Sequence, residues 1–370
     1  MSRPLSFEQV RALRLRAQRL AGRPCASASE AVASVIGVQA QAIQPAQLAV
    51  RARSTGLAAE DVTKACHADR SLVRTWLMRG TLHLVAAADV HWLLRLLGPR
   101  QAARDRRRRQ RLGLDDRLLA RSLEAIPQIM AGRGPLAREE LVRRLARQGV
   151  VVDLATQASA HLVLYAALQG VICMGPETRG NRATYVLLDE WLPAAPTMEP
   201  EPALAELARR YLAGYGPATP ADLAAWSGLP IAAADRGFRL VADETEEVEV
   251  DGRAAWRLPG ADPEPRPAGS DGVRLLGHWD PYLLGYRWRD PMLDAGFRRR
   301  VWTGGGFIRP VVLAAGRVVG TWRRERRGGQ GVIRVEPFVR LDPDLVHGLE
   351  AESADLARFL GEPARLEIGG

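Results

Sequence analysis

Gln39-Ala40-Gln41, followed some forty residues later by Trp76-Leu77-Met78-Arg79-Gly80-Thr81-Leu82-His83, decides how this chain is read. The glutamine pair lies between a helix-like run ending near Ile36 and a second run opened by Pro45. On an α-helix, residues two apart are rotated by roughly 200° and face opposite sides. On extended backbone they share a side. If the two amides serve one site, the segment is extended, and Gly37 before it and Pro45 after it fit such a break. Glutamine does not titrate; its carbonyl accepts and its amide donates, which suits it to holding a water rather than to strong base catalysis.

Working outward, the order helix, helix, helix, two-stranded wing occurs three times. In the first copy, Ser6–Leu20 and Ser29–Ile36 are amphipathic, Pro45–Arg53 starts with proline in a first turn, and Arg74–Leu84 is strand-like about Arg79-Gly80. In the second, helices over Leu136–Leu145 and Leu154–Gln169 precede strands Val171–Met174 and Tyr185–Leu188 across Gly175–Asn181. In the third, Thr219-Pro220-Ala221-Asp222 starts a helix, Pro230–Leu240 follows, and Glu246–Val250 turns at Asp251-Gly252 into Ala254–Leu258. Proline-rich joints at Pro193–Pro202 and Pro259–Gly272 bracket that copy. Beyond Val273 the pattern is β: strands around Val301, Ile308–Leu313, Val318–Arg323 and Val332–Phe338, turns at Gly304-Gly305-Gly306, Gly316 and Gly328-Gly329, then a closing helix over Asp342–Leu360. The expectation is an α+β chain: three tandem winged-helix modules (1–112, 113–195, 196–262) followed by a small C-terminal β-barrel (263–370).

With 370 residues, 47% apolar, the chain is long enough for several modules. No run of about 18 apolar residues and no signal-peptide block is present, so a cytoplasmic protein that does not span a membrane is expected. Cys25, Cys66 and Cys173 lie too far apart for a metal cluster or a disulfide framework, and no metal is expected. The net charge of +10 favours a polyanionic partner, nucleic acid first. Between positions 95 and 121, ten arginines, including Arg106, Arg107, Arg108 and Arg109, stand against Asp105, Asp115 and Asp116. That run reads either as a solvated face or as a phosphate-contacting segment, and the net charge favours the second. A second concentration, including Arg299, Arg300, Arg323, Arg324, Arg326 and Arg327, flanks the C-terminal glycine turns, as a groove-contacting hairpin or a charged sheet edge. The third wing, with Asp243, Glu244, Glu246, Glu247, Glu249 and Asp251, repels phosphates and is expected to face away from DNA.

Together with Leu275-Leu276-Gly277-His278-Trp279-Asp280-Pro281-Tyr282-Leu283-Leu284-Gly285 and Gly316-Arg317-Val318-Val319-Gly320-Thr321-Trp322, the two opening stretches resemble the winged-helix DNA glycosylases of the AlkZ and YcaQ kind, nearest to the AlkZ type. In that family a glutamine, an apolar residue and a second glutamine or an aspartate form the catalytic motif. The resemblance, which spans nearly the whole chain, implies Gln39 and Gln41 as catalytic residues and duplex DNA as partner. It implies no cofactor. Amides suffice only for an activated substrate: a purine alkylated at N3 or N7 is cationic and leaves readily, so the task becomes orienting water and stabilising an oxocarbenium-like sugar. A site open to bulky adducts is also implied, including interstrand crosslinks made by a DNA-alkylating natural product, hence antibiotic self-resistance. The single lysine, Lys64, disfavours a Schiff-base, strand-cleaving mechanism and favours a monofunctional one. His83 faces the same cleft, with Arg79 on a phosphate, or is a strand histidine bonded within its module. Asp280 is mainly structural, with a supporting role open, and the aromatic content of 6% advertises no ring cage for a flipped base. The rival reading is a winged-helix transcription regulator without chemistry. It would carry a dimerisation seam and an unambiguous recognition helix, and neither is evident, so a monomer is expected.

Overall fold

The computed structural model describes residues 3–178, 182–196, 198–260, 272–327 and 330–369. The turn glycines Gly328-Gly329 and most of the Pro259–Gly272 joint lie outside the described residues. Two compact units emerge: one from Met1–Thr63, Ala205–Trp226 and Pro230–Gly370, the other from Lys64–Leu204 with Ser227–Leu229.

In the first unit, Ser6 caps the helix Phe7–Ala17 through a reciprocal pair with Gln9, satisfying two amides that helix geometry leaves orphaned. Ahead of it, Arg3–Leu5 adds a parallel strand to Glu246–Val250. That strand turns at Asp251 and Gly252, both at positive φ, into Arg253–Arg257, the two-residue turn that Asp-Gly favours.

The C-terminal sheet has the order Val273–Leu276, Val311–Ala314, Arg317–Arg327, Gln330–Pro337, Ala364–Ile368. The expected barrel is corrected here: among the described residues the two outer strands do not pair, and the sheet is open. Its face is covered instead by the helix Pro343–Leu360, which packs against both outer strands and closes a core of Val312, Trp322, Ile333, Leu349 and Leu356. One amphipathic helix buries that face, so the strands need not curl onto themselves. The expected strand Ile308–Leu313 is also split. Phe307–Ile308 pairs with Trp302–Gly304 in a separate ribbon, and Val311–Ala314 joins the sheet, with Pro310, which has no N–H to donate, between them.

The second unit contains the antiparallel hairpin Leu72–Trp76 with Leu82–Ala86, then the helices Ala87–Arg104, Arg106–Arg111, Asp116–Met130, Arg138–Arg147 and Ala158–Leu168. A sheet of Leu136–Ala137, Thr184–Leu187 and Ile172–Gly175 completes its core with Leu141, Leu162 and Ile126. Gly98 lets the long helix press on the end of Ala158–Leu168: a Cβ there would lie 2.1 Å from the Leu168 carbonyl oxygen.

Candidate functional site

Gln39 ends a short strand, Val38–Gln39, and Ala42 is also extended at φ −120°, ψ 153° before the helix Ile43–Arg51 begins. The backbone through the motif is therefore non-helical, as a shared site requires. Ala40 is fully buried, Gln39 half-buried and Gln41 exposed, the alternation that extended backbone produces. Pro45 falls in the helix's first turn, where the missing N–H costs nothing.

Two buried arginines fasten the far end of this helix. Arg51 donates to Asp355 (2.9 Å), Glu352 (2.8 Å) and the Leu275 carbonyl (2.9 Å). Arg53, with no exposed surface, forks onto both oxygens of Asp280 and reaches the Ala49 carbonyl and Gln18. Burial alone would lower the Arg53 pKa, but the adjoining Asp280 carboxylate overrides it and the net shift is upward. Asp280 also accepts from the Tyr282 amide, capping Pro281–Leu284. Asp280 is thus a structural anchor of the motif helix.

The two C-terminal stretches that carry the resemblance, 275–285 and 316–322, pack together against this helix. At Gly277 a Cβ would lie 3.1 Å from the Leu48 Cβ, so any larger residue there would push on the motif helix. The Tyr282 hydroxyl donates to the Gly316 carbonyl, and Trp322 Nε1 donates to the Leu276 carbonyl at 2.9 Å. Between the helix start and the sheet lies a cleft of about 380 Å³, lined by Gln44, Pro45, His278, Phe307, Arg309 and Trp322 among others. His278, Trp279 and Phe307 form a ring trio with centroids 4.7–5.5 Å apart, and Phe307 is 39% exposed beside three glycines of positive φ. Sequence reasoning misses this trio because the overall aromatic content is low; the His-Trp pair and the Phe after Gly304-Gly305-Gly306 are the available signal.

In the second unit, Arg79 and Gly80 make the hairpin turn at φ 57° and 73°. His83 is 2% exposed, and its Nδ1 lies 2.8 Å from the Thr81 carbonyl, which accepts the ring proton. Burial, with Arg79 nearby, pulls its pKa down to about 3, so the ring is neutral at physiological pH. The ring thus lies bonded within its own hairpin. Burial likewise pushes the Cys66 and Cys173 thiols up to about 12, far from nucleophilic use.

The basic segments separate into distinct environments. Arg106, Arg107 and Arg108 are exposed on the short helix, with Arg106 paired to Asp116 and Arg108 bonded to Gln157. Arg109 is a correction: it is 5% exposed and stacked 4.7 Å over Tyr165, so it packs the helix down instead of presenting a charge to phosphates. Arg104, Arg107, Arg111 and Arg117 are exposed and have no carboxylate partner among the described residues. Arg299 and Arg300 are exposed, Arg300 over Phe338. The hairpin arginines are not bare. Arg323 pairs with Glu325 and Glu336, Arg324 and Arg326 with Glu362, and Arg327 with Glu325 and Glu367. Four arginines meet four glutamates, which are distant or alternating in sequence and so escape a reading of charge runs.

With this geometry established, comparison with known proteins places the chain. The model of the AlkZ-like DNA glycosylase family matches residues 32–359. The interstrand DNA cross-link repair glycosylase of Streptomyces sahachiroi is 33% identical over 366 residues, covering 96% of this chain and 97% of that protein. The solved structure of Streptomyces sahachiroi DNA glycosylase AlkZ superposes with a TM-score of 0.84 at 32% identity, covering 98% of this chain and 100% of that one. The chain belongs to the AlkZ-like DNA glycosylase family, and the regulator reading gives way to that of an enzyme.

Proposed function

We propose that this enzyme hydrolyses the N-glycosidic bond of cationic N3- and N7-alkylated purines in duplex DNA, including purines joined in interstrand crosslinks of the kind named for the Streptomyces sahachiroi relative. The observation that carries the proposal is an extended Gln39-Ala40-Gln41 at the start of a helix clamped by Arg51 and Arg53, beside an open cleft. Gln39 and Gln41 hold the attacking water, and their carbonyls lie toward the positive charge that develops on the sugar. Neither amide protonates a leaving group, so the substrate must arrive already cationic.

Phosphates fall to Arg106, Arg107 and Arg108 with their unpaired neighbours, to Arg79, to Arg299 and Arg300, and to Arg323, Arg324, Arg326 and Arg327 once DNA competes for them. The same reading retains three winged-helix modules over 1–112, 113–195 and 196–262, supported by helices followed by paired strands at 138–187 and 220–257. It assigns a monomer acting in the cytoplasm. No described helix is long and apolar enough to cross a membrane.

The test is incubation of the protein with duplex carrying a single N7-methylguanine, scored for free base and abasic strand. Release of that base, and none from an unmodified duplex, is expected. Absence of release under conditions where the duplex is bound would overturn the proposal.

A further inference from the structure

A second cleft, of about 790 Å³, shares no lining residue with the one beside the motif. Its walls come from Thr219, Ala221 and Asp222, from Arg253, and from the segment Arg287–Trp302. Four arginines line it, Arg253, Arg287, Arg289 and Arg298, against two carboxylates, Asp222 and Asp290. Both carboxylates are engaged. Asp222 accepts from the Thr219 amide and hydroxyl and from the amides of Arg287 and Trp288, while Asp290 pairs with Arg298. Arg253 and Arg287 are exposed and have no carboxylate partner among the described residues.

Two of the four guanidiniums are held in place by rings. Arg253 stacks 4.7 Å over Trp288 and Arg289 4.6 Å over Trp302; Arg289 also donates to the Leu283 and Arg287 carbonyls. A guanidinium fixed by stacking loses less rotamer freedom when it binds. Trp288 Nε1 is buried and has no acceptor among the described residues, a donor that costs free energy until an acceptor arrives. Fixed guanidiniums and an unmet N–H ask for a ligand with several anionic oxygens, and the phosphate group matches.

The acidic wing does not oppose this. Arg253 is registered opposite Val250, on the face shared by Val248 and Ala255, whereas Glu247 and Glu249 occupy the other face. Glu246, on the Arg253 face, is paired with Arg257.

We propose that this arginine–tryptophan cleft binds a backbone phosphodiester of DNA outside the lesion site. Beyond the proposed function it requires only that DNA is the partner, not that any particular adduct is cut. The cleft continues into Trp302, the first residue of the ribbon whose other strand starts with Phe307, so a strand held here is tied to the ring trio through one short piece of backbone.

The experiment uses the full chain and an undamaged duplex, with anisotropy-detected affinity measured across salt concentration. In the Arg253→Gln, Arg287→Gln double variant the slope of log affinity against log salt should shallow by about 1.8, at about 0.9 for each phosphate no longer neutralised. Affinity should fall about tenfold at moderate salt, from the same two phosphates. Tryptophan emission should change on adding duplex to the parent protein and change less in Trp288→Phe. Unchanged slope and affinity in a double variant with the parent melting curve would overturn the proposal. So would saturation of the emission change by a deoxynucleoside monophosphate with duplex binding unaffected, since that assigns the cleft to a free nucleotide. Because undamaged DNA is used, the result is independent of whether N7-alkylguanine is excised.

Discussion

Asp280 receives both terminal nitrogens of Arg53, at 2.8 and 2.9 Å, with neither side chain reaching solvent by more than 1%. The pair joins residues 227 positions apart and holds the helix that follows the glutamine motif against the segment between the strands Val273–Leu276 and Val311–Ala314 of the C-terminal sheet. A buried charge that loses its partner is left desolvated and unpaired.

Asp280→Ala should therefore destabilise the protein by about 3–5 kcal/mol, the cost of breaking a buried pair from one side. The Arg53→Met, Asp280→Leu double variant, which removes both charges, should lose clearly less than the sum of the single variants. Urea unfolding of the parent, Arg53→Met, Asp280→Leu and the double variant measures this. Additive losses would mean that the two groups do not act as a pair.

His83 gives the protein a pH dependence of defined sign. Its folded-state pKa, pulled down to about 3, lies below the ordinary value near 6.5, so the unfolded chain takes up the proton first. The contribution is complete above about pH 6.5 and is lost as pH falls toward 3, with a slope of at most ~1.4 kcal/mol per pH unit for one proton. Stability measured from pH 7 to 4.5 should fall more steeply in the parent than in His83→Phe. Parallel curves would show that the ring takes up its proton equally in the folded and unfolded protein.

The product should be an intact abasic strand. Lys64 is the chain's only lysine, and it lies in the last turn of the helix Ala59–His67, not in the motif. Borohydride should trap no covalent complex, and Lys64→Ala should excise at the parent rate. A trapped complex that disappears in Lys64→Ala would reverse this.

What can be read from sequence is local. The Asp251-Gly252 hairpin, the extended motif between Gly37 and Pro45, and the helix capped by Asp342 each announce themselves through a few adjacent residues. The strands Arg3–Leu5 and Ala364–Ile368 do not, because each is defined by a partner elsewhere: Val248 for Arg3, and Val335 for Ile368. Short strands and glycine turns suggest a barrel, but they are equally compatible with an open sheet, and the covering helix decides between them. Charge runs mislead for the same reason. Arg109 looks like its neighbours in sequence, yet it is buried and stacked over Tyr165.

The balanced hairpin makes a prediction opposite in sign to the usual one for a basic strand. Exposed pairs of this kind are worth at most about 1 kcal/mol, so phosphates can displace them, but each glutamate still opposes DNA. Glu362→Gln frees Arg324 and Arg326, and should raise affinity for undamaged duplex several-fold at low salt and steepen the salt dependence. Replacing Arg323, Arg324, Arg326 and Arg327 by glutamine should do the reverse. If neither change moves the affinity, the hairpin lies off the DNA.

The catalytic assignment rests on Gln39 and Gln41 and is tested by separating rate from binding. Single-turnover excision of N7-methylguanine should slow by about 10²-fold or more in Gln39→Ala and in Gln41→Ala, the scale for losing a positioned polar catalytic group. Duplex affinity should persist, because neither amide supplies phosphate charge. Gln41→Asp should retain more activity than Gln41→Ala, since a carboxylate can both accept a proton from water and oppose the cationic sugar. That variant should also acquire a rate that falls at acid pH as its carboxylate protonates, whereas the parent, whose two amides do not titrate, should show no such limb. Folded Gln39→Ala, Gln41→Ala protein that excises at the parent rate would remove the motif from the chemistry and move the search to the ring-lined cleft around His278.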